Sequence, residues 1–238
     1  IDQTCPPPPI CSIHPSLGNT TIFSENLHNL QNLNMITGNV SFLHGDLNSI
    51  ASTTTDGNIT QTSYNVGNFA NSFVNLQCDY IFDSNGNNNP IIPSGTIIIP
   101  GVYCFTTCFV NNSTSLFDPN GIIFDGENSS NSTFTFKFCG NETYFTPTTY
   151  SGINNANLCN IFFVGNSSDN PQQTAHIQND IYGSIIFNNL KVETRNSILI
   201  GKAIGLKTFY LETNLDVLDC ECGTGALPFQ SNKEVKNK

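Results

Sequence analysis

Phe134-Thr135-Phe136-Lys137-Phe138 alternates apolar and polar side chains with a period of two, the pattern of a strand that buries one face. Asn160-Ile161-Phe162-Phe163-Val164 and Ile181-Tyr182-Gly183-Ser184-Ile185-Ile186-Phe187 follow, apolar almost without a break and short enough to be buried strands. Outward from these runs the pattern recurs at 97–99, 102–105 and 122–124, and again at 198–200, 206–211 and 215–218. Asn-Gly, Asp-Gly and Asn-Asn pairs supply turns between them. Residues 96–219 therefore read as β throughout. No exact repeat period emerges, which excludes a regular hexapeptide or leucine-rich solenoid and leaves an irregular parallel β-helix or a sandwich.

Further out, the chain changes character. Between 20 and 50, Thr21-Ile22-Phe23, Met35-Ile36 and Val40-Ser41-Phe42-Leu43 read as short strands among turn residues. Val66, Phe69, Ala70, Phe73, Leu76 and Tyr80 keep the spacing of one helical face, with Asn and Ser opposite. This predicts one amphipathic helix over about 62–79, capped by Thr60 or Thr62, with its Phe stripe against a sheet. Residues 1–16 form a separate arm in which Cys5 and Cys11 bracket Pro6–Pro9, a stiff polyproline stretch. Residues 220–238, with Cys220 and Cys222, read as a polar tail. The 17–219 segment is the folded domain.

Composition narrows the function. The chain has 238 residues, enough for one large core, with 8 Lys plus Arg against 18 Asp plus Glu and a net charge of −10. Nucleic acid is excluded as a partner, since phosphate binding needs clustered cations. Only 11% of residues are charged, and 35 Asn supply the missing polarity. No apolar run is long enough for a membrane helix. The first residue is Ile1, as after removal of a signal peptide, and nine Cys suit an oxidising compartment. Sequons begin at Asn19, Asn39, Asn58, Asn111, Asn112, Asn128, Asn131, Asn141 and Asn166. Together these predict a secreted, cell-surface or virion-surface glycoprotein carrying N-linked glycans.

Several motifs stand in a telling order. Ile36-Thr37-Gly38-Asn39-Val40 precedes Gly45-Asp46-Leu47; after the helical segment come Pro100-Gly101-Val102-Tyr103-Cys104-Phe105 and Cys159-Asn160-Ile161-Phe162-Phe163-Val164-Gly165. Tyr182-Gly183-Ser184-Ile185-Ile186 and Ile200-Gly201-Lys202-Ala203 complete the series. In this order they resemble the microbial ice-binding-protein family over about 17–219. The resemblance implies a right-handed, discontinuous β-solenoid of triangular section, all-β except for one long helix packed alongside.

Two functions follow as expectations. The leading one is a structural subunit that self-assembles into a homopolymer. Nine cysteines leave at least one for another chain, and Cys5, Cys11, Cys220 and Cys222 sit in the terminal arms, while solenoid ends expose unpaired edges. The plainer reading makes Cys5–Cys11, Cys104–Cys108 and Cys139–Cys159 local clips. The alternative, which the resemblance suggests, is adsorption to ice through a flat face bearing Thr133, Thr135, Thr146 and Thr148. Catalysis is not expected. Arg195 is the only arginine, and His14, His28, His44 and His176 are scattered with no evident partner. Asp118, Asp125, Asp216 and Asp219 read as turn residues. The calcium-like run from Asp83 lacks Gly at Asn88 and Glu at Ser94, and Gly201-Lys202 lacks the rest of a phosphate loop. No metal or cofactor is expected.

Overall fold

The computed structural model describes residues 20–29, 32–36, 38–45, 54–55, 57–61, 72–82, 92–93, 95–105, 121–139, 142–145, 149–165, 172–193 and 197–218. In chain order the strands are β1 (Thr20–His28), β2 (Leu33–Ile36), β3 (Asn39–His44), β4 (Thr54–Thr55), β5 (Ile59–Gln61) and β6 (Tyr80–Phe82). Then come β7 (Ile97–Ile98), β8 (Gly101–Phe105), β9 (Ile122–Asp125), β10 (Phe134–Phe138), β11 (Glu142–Phe145) and β12 (Tyr150–Ile153). After a 3-10 turn at Leu158–Asn160 follow β13 (Ile161–Gly165), β14 (Thr174–Ile177), β15 (Ile181–Tyr182), β16 (Ser184–Val192), β17 (Ser197–Ile200), β18 (Ala203–Leu211) and β19 (Leu215–Leu218).

The strands form three sheets: β5-β3-β1-β18-β16-β13-β10-β8-β6 with β11 and β14 alongside β16, then β12-β9-β7, and β15-β17-β19-β2-β4. Their pairings are parallel. Parallel neighbours cannot be joined by a tight hairpin, so the chain returns to each strand by travelling round the other sides of a coil. Strands β1, β16 and β18 shift register part-way, between Ser24 and Asn26 or between Phe187 and Asn189, and so serve two sides each. A Greek-key sandwich is ruled out by this topology.

In-register stacking places like over like in the interior. Tyr103, Phe136 and Phe163 form one column, with ring centroids 5.2 and 5.5 Å apart. Phe105, Phe138 and Phe187 form another, at 5.2 and 5.8 Å. Phe134, Phe136 and Phe138, the period-two residues of β10, are all buried. The alternation that marked this run as a strand is the alternation that fills the core.

The stack order is not the chain order. The amino-terminal coil lies in the middle, with β1 between β3 and β18. Lys202, itself buried, donates from Nζ to the Thr20 carbonyl at 2.9 Å, and the Asn29 and Asn32 amides both donate to the Leu211 carbonyl.

Two expectations are corrected here. A long helix over 62–79 is not shown: residues 72–74 are helical, 75–79 have left the helix, and 62–71 lie outside the described residues. Leu76 is exposed and Tyr80 opens β6, because the chain must turn back into the sheet at that point. The clip Cys104–Cys108 is not made, since Cys104 is bonded to Cys78. Cys159 is disulfide-bonded, but not to Cys139.

Candidate functional site

Each side of the stack turns its even or odd positions outward; the two halves of the main sheet and the sheet β7-β9-β12 present three outer surfaces, and β15-β17-β19-β2-β4 presents another, with Ile198, Ile200 and Asp216 half-buried on it. The first is the outer surface of β8, β10, β13 and the leading halves of β16, β18 and β1. Its outward Phe23, Phe162, Val164, Ile186 and Ile204 are buried beneath Phe73 and Val74, and Phe73 lies 4.9 Å from Phe162 between ring centroids. Lys137 Nζ donates to the Val74 and Leu76 carbonyls at 2.6 and 2.8 Å, neutralising the end of the helical turn. Desolvation by this cover lowers the Lys137 ammonium pKa from its ordinary value. The Cys78–Cys104 disulfide and the Asp79 carboxylate, which accepts from the Val102 amide, fasten the far end. This surface is covered. Thr135, expected on an ice-facing surface, is 3% exposed and lies in register between Val102 and Phe162 under this cover.

The second surface belongs to β11, β14 and the trailing halves of β16, β18 and β1. Tyr144, His176, Lys191, Tyr210 and His28 run across it in register. The Tyr144 and His176 rings stack at 4.3 Å. His176 Nδ1 lies 2.7 Å from Glu193 Oε1, the Gln178 amide donates to Oε2 at 2.9 Å, and Lys191 bridges Glu193 and Glu212 at 3.0 and 3.2 Å. Burial alone would raise the Glu193 carboxyl, but hydrogen bonds from Gln178, His176 and Lys191 outweigh it and hold it down to about 2. The hydrogen bond to Glu193 raises Lys191, against a smaller effect of burial. Sequence spacing gave no partner for His176; sheet register supplies one seventeen residues away. The surface is crossed by charges bound to one another.

The third surface is the outer side of β7, β9 and β12. Ile98, Ile122 and Phe124 point inward and are buried. Ile97, Ile123 and Ser151 form an outward row in register, with Ile97 54% exposed. Ile99 and Ile153 flank it, at 36% and 40% exposed, and Thr149 and Ser151 present hydroxyls beside them. Asp125 is the one charge in these strands, and its Oδ1 accepts from the Glu127 amide and the Asn154 side chain at 2.8 and 2.9 Å, tied into the corner turn. Tyr150 and Tyr182, 5.6 Å apart, bridge to the neighbouring sheet, and burial raises both phenols. Among the described residues, what remains is a surface of aliphatic groups and short hydroxyls, with Asp125 in register beside Ile153.

Of the other residues singled out from sequence, Thr133 is half-buried before β10. Thr146, Thr148, Cys5, Cys11, Cys108, Cys220 and Cys222 lie outside the described residues, as do the arms 1–16 and 220–238. So do Asn19, Asn111, Asn112, Asn141 and Asn166. Asn58, Asn128 and Asn131 are exposed, whereas Asn39 Oδ1 accepts from the Asn58 amide within the stack. The exposed isoleucines escaped the sequence reading because an Ile triplet does not say which members point out. Among the described residues no three His, Cys, Asp or Glu side chains cluster to hold a metal, and no helix is long and apolar enough to cross a membrane.

No protein-family model matches the chain, and no curated protein does. Solved structures do. An ice-binding protein from the Antarctic ascomycete Antarctomyces psychrotrophicus superposes with a TM-score of 0.62 at 12% identity, covering 87% of this chain and 97% of its own. The chain has the fold of the microbial ice-binding proteins. An ice-binding protein from an Antarctic Flavobacteriaceae bacterium superposes with a TM-score of 0.60 at 17% identity, over 88% of this chain and 47% of its own. One from an Arctic yeast, described as having antifreeze activity, gives 0.56 at 15% identity, over 88% and 94%. These ice-binding neighbours correct the leading expectation, the self-assembling subunit, and favour its alternative.

Proposed function

We propose that the protein adsorbs to ice through the surface of β7, β9 and β12, as a non-enzymatic exterior protein. The observation that carries this reading is the in-register row Ile97, Ile123 and Ser151, uncharged, with Ile97 and Ser151 exposed and Ile123 half-buried between them. Parallel pairing repeats side chains about every 4.8 Å across the strands and about 6.6 Å along them, a fixed two-dimensional array. Aliphatic groups hold ordered water around them, and the Thr149 and Ser151 hydroxyls can bond into that layer. A rigid array meets a crystal plane at many points without losing side-chain entropy on contact. The two outer surfaces of the main sheet suit ice less well, one being covered and the other charged. The scaffold this reading assumes is a right-handed triangular prism. Sugars at Asn128 and Asn131, in the turn after Asp125, would stand at the rim of the face rather than on it.

The test is to hold single ice crystals just below their melting point in the protein solution. The intact protein should arrest growth and facet the crystals. Ile123→Lys should remove both effects with an unchanged circular-dichroism spectrum, while Lys191→Gln, on the charged surface, should leave them intact. Arrest that survives Ile123→Lys would place the ice contact elsewhere.

A further inference from the structure

We propose that the second surface, across β11, β14, β16, β18 and β1, binds a neutral polysaccharide laid across the strands; this goes beyond the ice reading and uses other strands. One in-register row there runs Tyr144, His176, Lys191, Tyr210 and His28. At about 4.8 Å per strand the row is roughly 19 Å long, room for about four linked pyranoses. A pyranose shows C–H groups on its faces and hydroxyls around its edge. The negative face of an aromatic ring attracts such C–H groups, and the row offers rings on both sides of Lys191. Tyr210 is 40% exposed, with His28 6.1 Å away between ring centroids. Tyr144 is propped by the buried His176, 4.3 Å away and within 14° of parallel. Two residues earlier in each strand, Asn26, Thr208, Asn189 and Thr174 make a second row in register. The Asn26 and Asn189 amides donate to the Lys207 and Gln173 carbonyls at 2.9 and 3.1 Å, so these side chains are fixed before a ligand arrives. Amides and hydroxyls both donate and accept, as a sugar hydroxyl requires.

The charges on this face decide which ligand fits. Lys191 is held between Glu193 and Glu212 at 3.0 and 3.2 Å, and Glu193 also takes His176 at 2.7 Å. Two carboxylates face one ammonium, which disfavours a polyanion, whether nucleic acid or an acidic glycan. A protein partner would have to strip water from this ion cluster, at a cost, and the centres of protein interfaces are depleted in charge. Sugar hydroxyls instead replace that water one for one and leave the cluster solvated.

Native electrophoresis of the full chain through gels containing hydroxyethylcellulose, laminarin or galactomannan tests this. Migration should be retarded in at least one of these gels, relative to a gel without polysaccharide and to a non-binding control protein. Tyr210→Ala should weaken that binding about tenfold, while Tyr210→Phe, which keeps the ring, should retain most of it. His28→Ala, at an exposed position, should cost several-fold and gives a second measure if Tyr210→Ala folds poorly. Added salt should leave the retardation unchanged, because the ligand carries no charge. Normal migration in all three gels overturns the inference, as does retardation that Tyr210→Ala and His28→Ala both leave intact. Retardation that vanishes with salt, or that occurs only in a gel containing alginate, makes the contact ionic and also overturns it. Self-association lost in Tyr210→Ala, without retardation by any polysaccharide, makes the face a protein contact instead. Arrest of ice growth reads other strands, so its failure leaves this inference standing.

Discussion

Glu193 shows at the scale of one residue how register creates chemistry that sequence spacing conceals. Its carboxylate draws together His176 and Gln178 of the β14 edge and Lys191 of β16, none of them adjacent in sequence to a recognisable motif. The carboxyl is held at about 2, below its ordinary 4.5, so the unfolded chain binds its proton first as pH falls. Its contribution is therefore complete above about pH 4.5 and lost between there and about pH 2. Melting temperature measured against pH should fall across that window in the intact protein. Glu193→Gln should lower it near neutrality and flatten the acid limb. A parallel acid limb in the variant would mean that other carboxylates carry the effect. Core residues are a simpler case. Phe163, fully buried between Phe136 and Phe145, was legible as an interior residue from its apolar run, and Phe163→Ala should cost about 3–5 kcal/mol by urea denaturation.

Among the elements, those with both faces buried were the legible ones. β10, β13 and the leading half of β16 lie between the core and the covering segment; β13 and Ile185-Ile186-Phe187 are apolar throughout and β10 alternates strictly, so the runs stand out. β11, β12 and β14 escaped notice: Glu142-Thr143-Tyr144-Phe145, Tyr150-Ser151-Gly152-Ile153 and Thr174-Ala175-His176-Ile177 carry outward polar or small residues, which dilutes the signal to two or three apolar positions. The candidate face suffered most from this, because it is read off β12 as much as off β7. Of the expected helical stripe the described residues hold a turn at 72–74, with Phe73 on the sheet, and its end was not legible. A side-chain pattern does not encode the return into β6, which is fixed by Cys78 and Asp79, just before β6 and bonded to β8, and by Lys137 on β10. Lys137→Met keeps the length of the side chain and removes the donor to two carbonyls, so a loss of about 1–3 kcal/mol is expected in urea titration. Removing the Cys78–Cys104 disulfide, which closes a separation of 26 residues, should cost about 2–4 kcal/mol. If either change exposes Phe162 and Ile186, binding of an apolar dye should rise before the global transition.

For the whole molecule the decisive fact is the place of β1 in the sheet. A solenoid that stacked in chain order would leave its first coil at an end, with one edge unpaired and prone to fray. Here β1 pairs with β3 on one side and β18 on the other, and the Lys202 ammonium and the Asn29 and Asn32 amides tie the two together over some 180 positions of sequence. The outer positions of the main sheet go instead to β5 and β6, three residues each. No local pattern in β1 announces this arrangement, since Thr21-Ile22-Phe23 would look the same at an end or in the middle. Amide hydrogen exchange separates the two cases. Protection should be greatest at Ile22, Phe23 and Ser24 and at their partners Ala203, Ile204 and Gly205, and should fall toward β5 and β6. A first coil that exchanged as fast as β6 would mean that the β1–β18 seam opens by itself, and the stack would then be two separately unfolding pieces rather than one.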